Sequence, residues 1–267
     1  MAKSVLGKCN LCNRENVELK SSHYLPNWGY KAIQKSPEGG RQKRLIRVDR
    51  NKIYYPKQQI RSYLLCEKCE IAFSSREKWA RQYSHAGDLP IIDNHEEVTR
   101  ISGATLCLFP QNVDIEALKY FALSVYWRFS VTGDNKTLQL GPYEERLRKY
   151  LLNGRGELNS IYLFMYLIDD TGSIPSDKMM LIPKAIKRNN PSHWVHVFQI
   201  IGLRFHMLIG KKLPENLKNT IPSFDLIRNG NSFLKVSSRE DALLETLVNE
   251  SMNVPLTKNV LRDFPEN

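Results

Sequence analysis

CNLCNRENVELKSSHYLP, residues 9–26, sets a Cys-x-x-Cys pair and a Ser-His-x-x-Pro turn within eighteen residues. A single CxxC pair fits a redox couple, a metal knuckle or chance. A second pair, Cys66-x-x-Cys69, follows after 53 intervening residues, and of the five cysteines only Cys107 stands alone. Two short thiol pairs supply the four ligands of tetrahedral zinc, each pair wrapping one side of the ion. Cys9, Cys12, Cys66 and Cys69 are therefore expected to hold a structural Zn²⁺. Cys107, inside the apolar run ATLCLFP, is expected to be a buried small hydrophobe.

Working outward, the chain of 267 residues is long enough for one large domain or two modest ones. Its 42% apolar and 25% charged residues are those of an ordinary soluble globular protein rather than a disordered or fibrous one. No apolar run reaches the roughly 18 residues of a membrane span, and MAKSVLGKCNLC lacks the apolar core of a secretory signal. The expectation is a cytoplasmic protein, where paired thiols bind metal more often than they form disulfides. The formal charge of +11 is concentrated at the start: residues 1–90 carry 18 Lys and Arg against 8 Asp and Glu, and the remaining 177 carry 21 against 20. Such a basic segment is what a polyanion-binding surface requires, although a solvated basic surface has the same composition.

The long insert between the cysteine pairs needs structure of its own. SPEGGRQKRLIRVDRNK gives a turn at Pro37–Gly40 and a basic run that becomes a strand-like alternation, so a strand pair with a basic loop is expected. After Cys69, EIAFSSREKWARQY is helical, and Ser74-x-x-Glu77 fits a capping box that restarts a turn. A knuckle, a strand pair and a helix bearing the last ligands near its start is the order of a treble-clef zinc finger, assigned to residues 1–85.

Residues 86–112 read as a connector, with Gly87 and Pro90 and little periodicity. Beyond them lies a larger α+β domain, residues 113–267. Asp114 is the expected N-cap of a helix whose Ile115, Leu118, Ala122, Val125 and Phe129 share one face. PYEERLRKYLLNG is a second helix, opening on Pro142 and closing at Gly154. IYLFMYLIDD, MMLIPKAIK, HWVHVFQII and LRFHMLIGKKL read as strands of a mainly antiparallel sheet, and SSREDALLETLVNESM as a last helix. His193, His196 and His206 are expected to be packing residues within those strands.

The head resembles the HNH endonucleases, the ββα-metal nucleases. The resemblance covers about residues 5–85 and rests on Cys9 and Cys12, Ser22-His23 with Pro26, Gly39-Gly40, and Leu65-Cys66-x-x-Cys69-Glu70. It implies that His23 activates a water for attack on a phosphodiester phosphorus, while a divalent ion stabilises the developing charge. By position, Glu70 stands where the family has a metal-binding histidine, and a carboxylate suits Mg²⁺ or Mn²⁺. Ser22 replaces the family's Asp or His, and Arg61 stands where the family has Asn. Glu77, one turn pair beyond Glu70, is a candidate to complete a carboxylate site. Chains joining such a head to an unrelated body look similar to effectors of bacterial restriction and phage defence.

Nucleic acid, with DNA foremost, is the expected partner, met by Arg41, Lys43, Arg44, Arg47 and Arg61 with aromatics nearby in Trp28, Tyr30, Tyr54 and Tyr55. Two other readings stay open: a nucleic-acid-binding treble clef without catalysis, and an interaction adaptor whose finger is structural and whose C-terminal domain binds a protein partner.

Overall fold

The computed structural model describes residues 5–35, 46–49, 52–56, 59–84, 86, 95–101, 103–132, 138–169, 178–186, 193–210, 225–228 and 230–237. The fold is mixed α+β. In the first third, β1 (Val5–Gly7), β2 (Val17–His23) and β5 (Arg61–Cys66) form a three-stranded antiparallel sheet in the order β1-β2-β5. Between β2 and β5 come helix α1 (Asn27–Gln34) and a small antiparallel pair, β3 (Arg47–Asp49) with β4 (Lys52–Tyr54). The expected strand pair in the insert is present. The turn at Pro37–Gly40 lies outside the described residues.

Helix α2 (Glu67–Tyr83) departs from the sequence reading at Ser74 and Glu77. No turn restarts there. The helix runs unbroken from a cap at Cys66, and the Ser74 hydroxyl donates back to the Ile71 carbonyl at 3.0 Å. Burial of Phe73, Ala80 and Tyr83 along one stripe carries the helix straight through a local capping signal.

The supposed connector is also structured: β6 (Glu96–Ile101) and β7 (Ala104–Leu108) lie within it and open the main sheet. That sheet has seven strands in the order β6-β7-β12-β8-β11-β10-β9, with β8 (Ile161–Asp169), β9 (Met180–Ile186), β10 (Trp194–Ile200), β11 (Leu203–Ile209) and β12 (Ser232–Ser237). All pairings are antiparallel except β12 with β8, which is parallel. The four strands expected between residues 160 and 213 are present; the helix expected in SSREDALLETLVNESM lies outside the described residues.

Helix α3 (Ile115–Val131) is the spine of the molecule. Asp114 caps it, its Oδ1 accepting from the Ala117 N–H at 2.9 Å. Rather than one apolar face, every residue from Ala117 to Phe129 is buried, as in a helix covered on all sides. One side meets α2 through Phe73, whose ring lies edge-on to Tyr120 and Trp127 at 5.7 and 6.0 Å. The other side meets the sheet, where the Tyr126 hydroxyl lies 2.9 Å from the His196 carbonyl and 2.7 Å from that of Phe205. Helix α4 (Pro142–Asn153) begins with Pro142 and stops at Gly154, which takes the left-handed conformation at φ 68°.

One hydrophobic core therefore runs from Cys9 and Phe73 through α3 to Phe198, Phe205 and Phe233. Helix α1 presses on the sheet at Gly29, where a Cβ would lie 2.7 Å from Met180 Sδ and 2.8 Å from Ile200 Cδ1. Head and body are welded rather than strung on a linker. The opposite face of the sheet carries Phe164, Val195, Val197, Leu208 and Leu234, also buried. No described helix is long and apolar enough to cross a membrane.

Candidate metal centre and adjoining histidine site

The first pair of cysteines sits in the loop between β1 and β2. The loop closes on itself as the Asn13 N–H donates to the Cys9 carbonyl at 2.8 Å and the Cys9 N–H to the Arg14 carbonyl at 3.0 Å. Such a tight path demands positive φ, and asparagine supplies it at Asn13 (59°) and Asn16 (53°). The second pair spans a strand–helix junction, with Cys66 ending β5 and Cys69 in the first turn of α2. Backbone bonds tie the two: Asn10 N–H to the Leu64 carbonyl at 3.1 Å, and Cys66 N–H to Cys9 Sγ at 3.3 Å.

All four sulfurs lie within 4.8 Å of one another, with Cys12 and Cys66 Sγ 3.8 Å apart. Zn–S bonds of about 2.3 Å in a tetrahedron place sulfurs about 3.8 Å from each other, so the cluster fits a metal ion of this class. Cys9, Cys66 and Cys69 are buried and Cys12 is partly exposed. Hydrogen bonding, first from the Cys69 thiol, draws Cys9 down to about 4, while Cys69 is correspondingly raised. Four thiols this close share protons between them; a dication lets all four ionise.

Two arginines serve this centre. The Arg14 guanidinium donates to the sulfurs of Cys66 and Cys12 at 3.2 and 3.4 Å, placing a positive charge on what would be a dianionic metal–tetrathiolate cluster. Burial pushes the Cys12 thiol up, but Arg14 outweighs it and holds Cys12 below its ordinary value. Arg148, on α4, donates to the Leu11 carbonyl at 2.6 Å, while Glu145 accepts from its other nitrogens at 2.6 and 2.8 Å. Cys107 is buried in β7, apart from the cluster, its thiol raised to about 11 chiefly by burial.

His23 ends β2, directly across the strand pair from Arg61. Its pairing is continued by the Tyr24 N–H, which donates to the Ile60 carbonyl at 3.1 Å. Burial lowers the imidazole below its ordinary value; a hydrogen bond to the Gln59 side chain opposes this, Arg61 adds to it, and Glu77 and Glu70 oppose it. His23, Gln59, Arg61, Glu70 and Glu77 thus form one electrostatic neighbourhood. Fully buried Ser22 donates to Glu70 Oε2 at 2.5 Å, joining β2 to the first turn of α2. The Tyr30 ring lies 6.3 Å from that of His23.

Glu77 is not a free carboxylate. Its Oε1 accepts from Arg128 Nη2 at 2.6 Å, and that guanidinium, 1% exposed, also donates from Nη1 to the His23 carbonyl at 2.6 Å. The candidate second ligand is therefore engaged in a buried ion pair. Among the basic residues expected to meet nucleic acid, Arg61 is exposed beside His23 and Arg47 lies half-buried on β3; Arg41, Lys43 and Arg44 lie outside the described residues. His193 and His196 are buried and His206 is partly so, at or in β10 and β11.

Gln59, Arg128, Arg14 and Arg148 complete the two sites without having been singled out in the sequence. For Arg128 a signal exists, since it is the only charge within the apolar run SVYWRFSV, and a charge in a core helix needs a partner. No family model, curated protein or solved structure matches the chain.

Proposed function

We propose that the chain is an HNH-like, metal-dependent nuclease that hydrolyses phosphodiester bonds in nucleic acid, DNA foremost, with a zinc-bound treble clef as its structural head. The reading rests above all on the Ser22–Glu70 hydrogen bond, which sets the carboxylate proposed for the cation against the strand end that carries His23 and faces Arg61. The HNH resemblance calls for an amide that orients the histidine; Gln59, two residues before Arg61 and in the electrostatic neighbourhood of His23, is the residue we assign to that role.

The roles follow from the chemistry. His23, kept neutral by burial at neutral pH, has a lone pair for a proton leaving water. Arg61, exposed across from it, suits a phosphate oxygen. Glu70 offers carboxylate oxygens to Mg²⁺ or Mn²⁺, held in place by Ser22. A divalent ion there supplies charge stabilisation for the phosphate and the leaving oxygen. The basic first third favours a polyanionic substrate.

Cleavage of plasmid, linear duplex and single-stranded substrates with Mg²⁺ or Mn²⁺ tests this. Wild type is expected to cut, and His23→Ala to lose at least a hundredfold in rate, within the usual range for a general base. Equal rates for the two proteins rule out the assigned base.

A second reading, nucleic-acid binding without cleavage, is favoured by one observation: Glu77 is committed to Arg128, which leaves Glu70 as the carboxylate for a cation. Salt-sensitive binding by a wild type that cuts nothing with either metal selects it.

A further inference from the structure

We propose that Arg128 is a positioning residue for the His23 site, through which the C-terminal body completes the active centre of the head; the proposal rests on the reading of His23 as the base. The side chain comes from α3, yet its two outward nitrogens are spent on the head. Nη1 donates to the His23 carbonyl and Nη2 to Glu77 Oε1, both at 2.6 Å. Thus one guanidinium ties the last residue of β2 to the third turn of α2. Glu70 lies on that same helix, and Ser22, one residue before His23, already bonds to it. The Arg128 clamp and the Ser22–Glu70 bond therefore span the same two elements, β2 and α2.

The guanidinium is itself held rigidly. It lies 5.3 Å from the Phe73 ring centre, and Nε and Nη2 each stand 3.4 Å from Ser124, at its carbonyl and hydroxyl oxygens. A charged group at 1% exposure is costly for stability alone, since apolar residues of like volume commonly serve as well or better. What a planar fork adds is direction: two bonds at a fixed angle, which a hydrophobic contact cannot impose. Two residues earlier on α3, the Tyr126 hydroxyl meets carbonyls of β10 and β11, so the clamp is anchored through α3 to the sheet.

The test removes both charges together, so that neither is left buried alone. The double variant Arg128→Met with Glu77→Leu is expected to fold and to bind metal as wild type does. Its kcat is expected to fall at least tenfold with KM changed less than twofold, and the amides of residues 22–24 to exchange with solvent at least tenfold faster while β8 and β11 exchange as before. Wild-type kcat and unchanged exchange at residues 22–24 overturn the proposal. If wild type itself cuts nothing, the nuclease reading fails, and the exchange of residues 22–24 alone decides whether Arg128 sets the end of β2. Should the double variant lose its metal or its fold, Arg128→Lys, which keeps the charge and removes the fork, is measured by the same exchange criterion.

Discussion

The Arg148 guanidinium of α4 donates to the Leu11 carbonyl at 2.6 Å, inside the loop that carries Cys9 and Cys12. A side chain 137 positions away in sequence thus braces the metal knuckle from outside. Arg148→Ala removes a charged donor from that carbonyl and frees Glu145. It is expected to cost about 1–2 kcal/mol of stability and to speed metal loss to a chelator. Urea unfolding with a chelator competition series measures both; a variant that releases metal at the wild-type rate shows the brace to be idle.

About one equivalent of zinc per chain is expected by elemental analysis. Cys66→Ser should lose it and unfold the head, because ligand binding and folding share one free energy. Cys107→Ser should keep full metal content, since that thiol lies on the main sheet and outside the four-sulfur cluster. Equal zinc loss from both variants would falsify the assignment.

His196 makes stability depend on pH. Its ring nitrogens have no hydrogen-bond partner among the described residues, and burial holds it down to about 4, against 6.5 in the unfolded chain. Above pH 6.5 both states are neutral and nothing is lost. As pH falls from 6.5 toward 4, the unfolded chain takes up a proton that the folded one refuses, and about 3 kcal/mol disappears across that window. His23, also lowered by burial, acts with the same sign. Unfolding midpoints from pH 7.5 to 4 should show the decline, and His196→Leu should flatten it. Parallel profiles for the two proteins would exclude His196 as the source.

Arg61 and Glu70 separate binding from cation use. Arg61→Ala should reduce the slope of log affinity against log salt by about 0.9 for duplex DNA, with the fold unchanged because the side chain is exposed. Glu70→Gln keeps an acceptor for the Ser22 hydroxyl but weakens any hold on Mg²⁺ or Mn²⁺. The measurable sign is a cleavage curve shifted at least tenfold to higher metal concentration. An unchanged curve places the cation elsewhere.

What could be read from the chain follows from which forces are local. The cysteine pairs are legible because metal ligation imposes short spacing, and β8, β10 and β11 because burial on both faces leaves long apolar runs. Helix α1 is not, since NWGYKAIQ has a glycine in its first turn; there Gly29 is needed for close approach to Met180 and Ile200, residues far away in sequence. Strand β6, EEVTRI, is polar and stands at the edge of the sheet among the described residues, and it hides within an irregular stretch. The Ser74–Glu77 signal misleads for the opposite reason: Phe73 docks against α3, and tertiary contact overrides the local cap. The histidine site is half legible. His23, Ser22 and Glu70 announce themselves by motif, whereas the Arg128 contacts exist only once two distant helices and a strand meet.

The place of β12 has a consequence for how the protein is made. It lies between β7 and β8, pairing residues 232–236 with 104–108 and residues 234–237 with 166–169. During synthesis the β6–β7 hairpin and the β8–β11 ladder must therefore wait, each with an open edge, until more than sixty residues beyond β8 have left the ribosome. Such late, distant pairing slows folding and leaves sticky strand edges in the meantime. A nascent chain halted before residue 230 would expose two unfinished sheets, and recombinant yield should respond more to translation rate and chaperone supply than the stability of the finished fold implies.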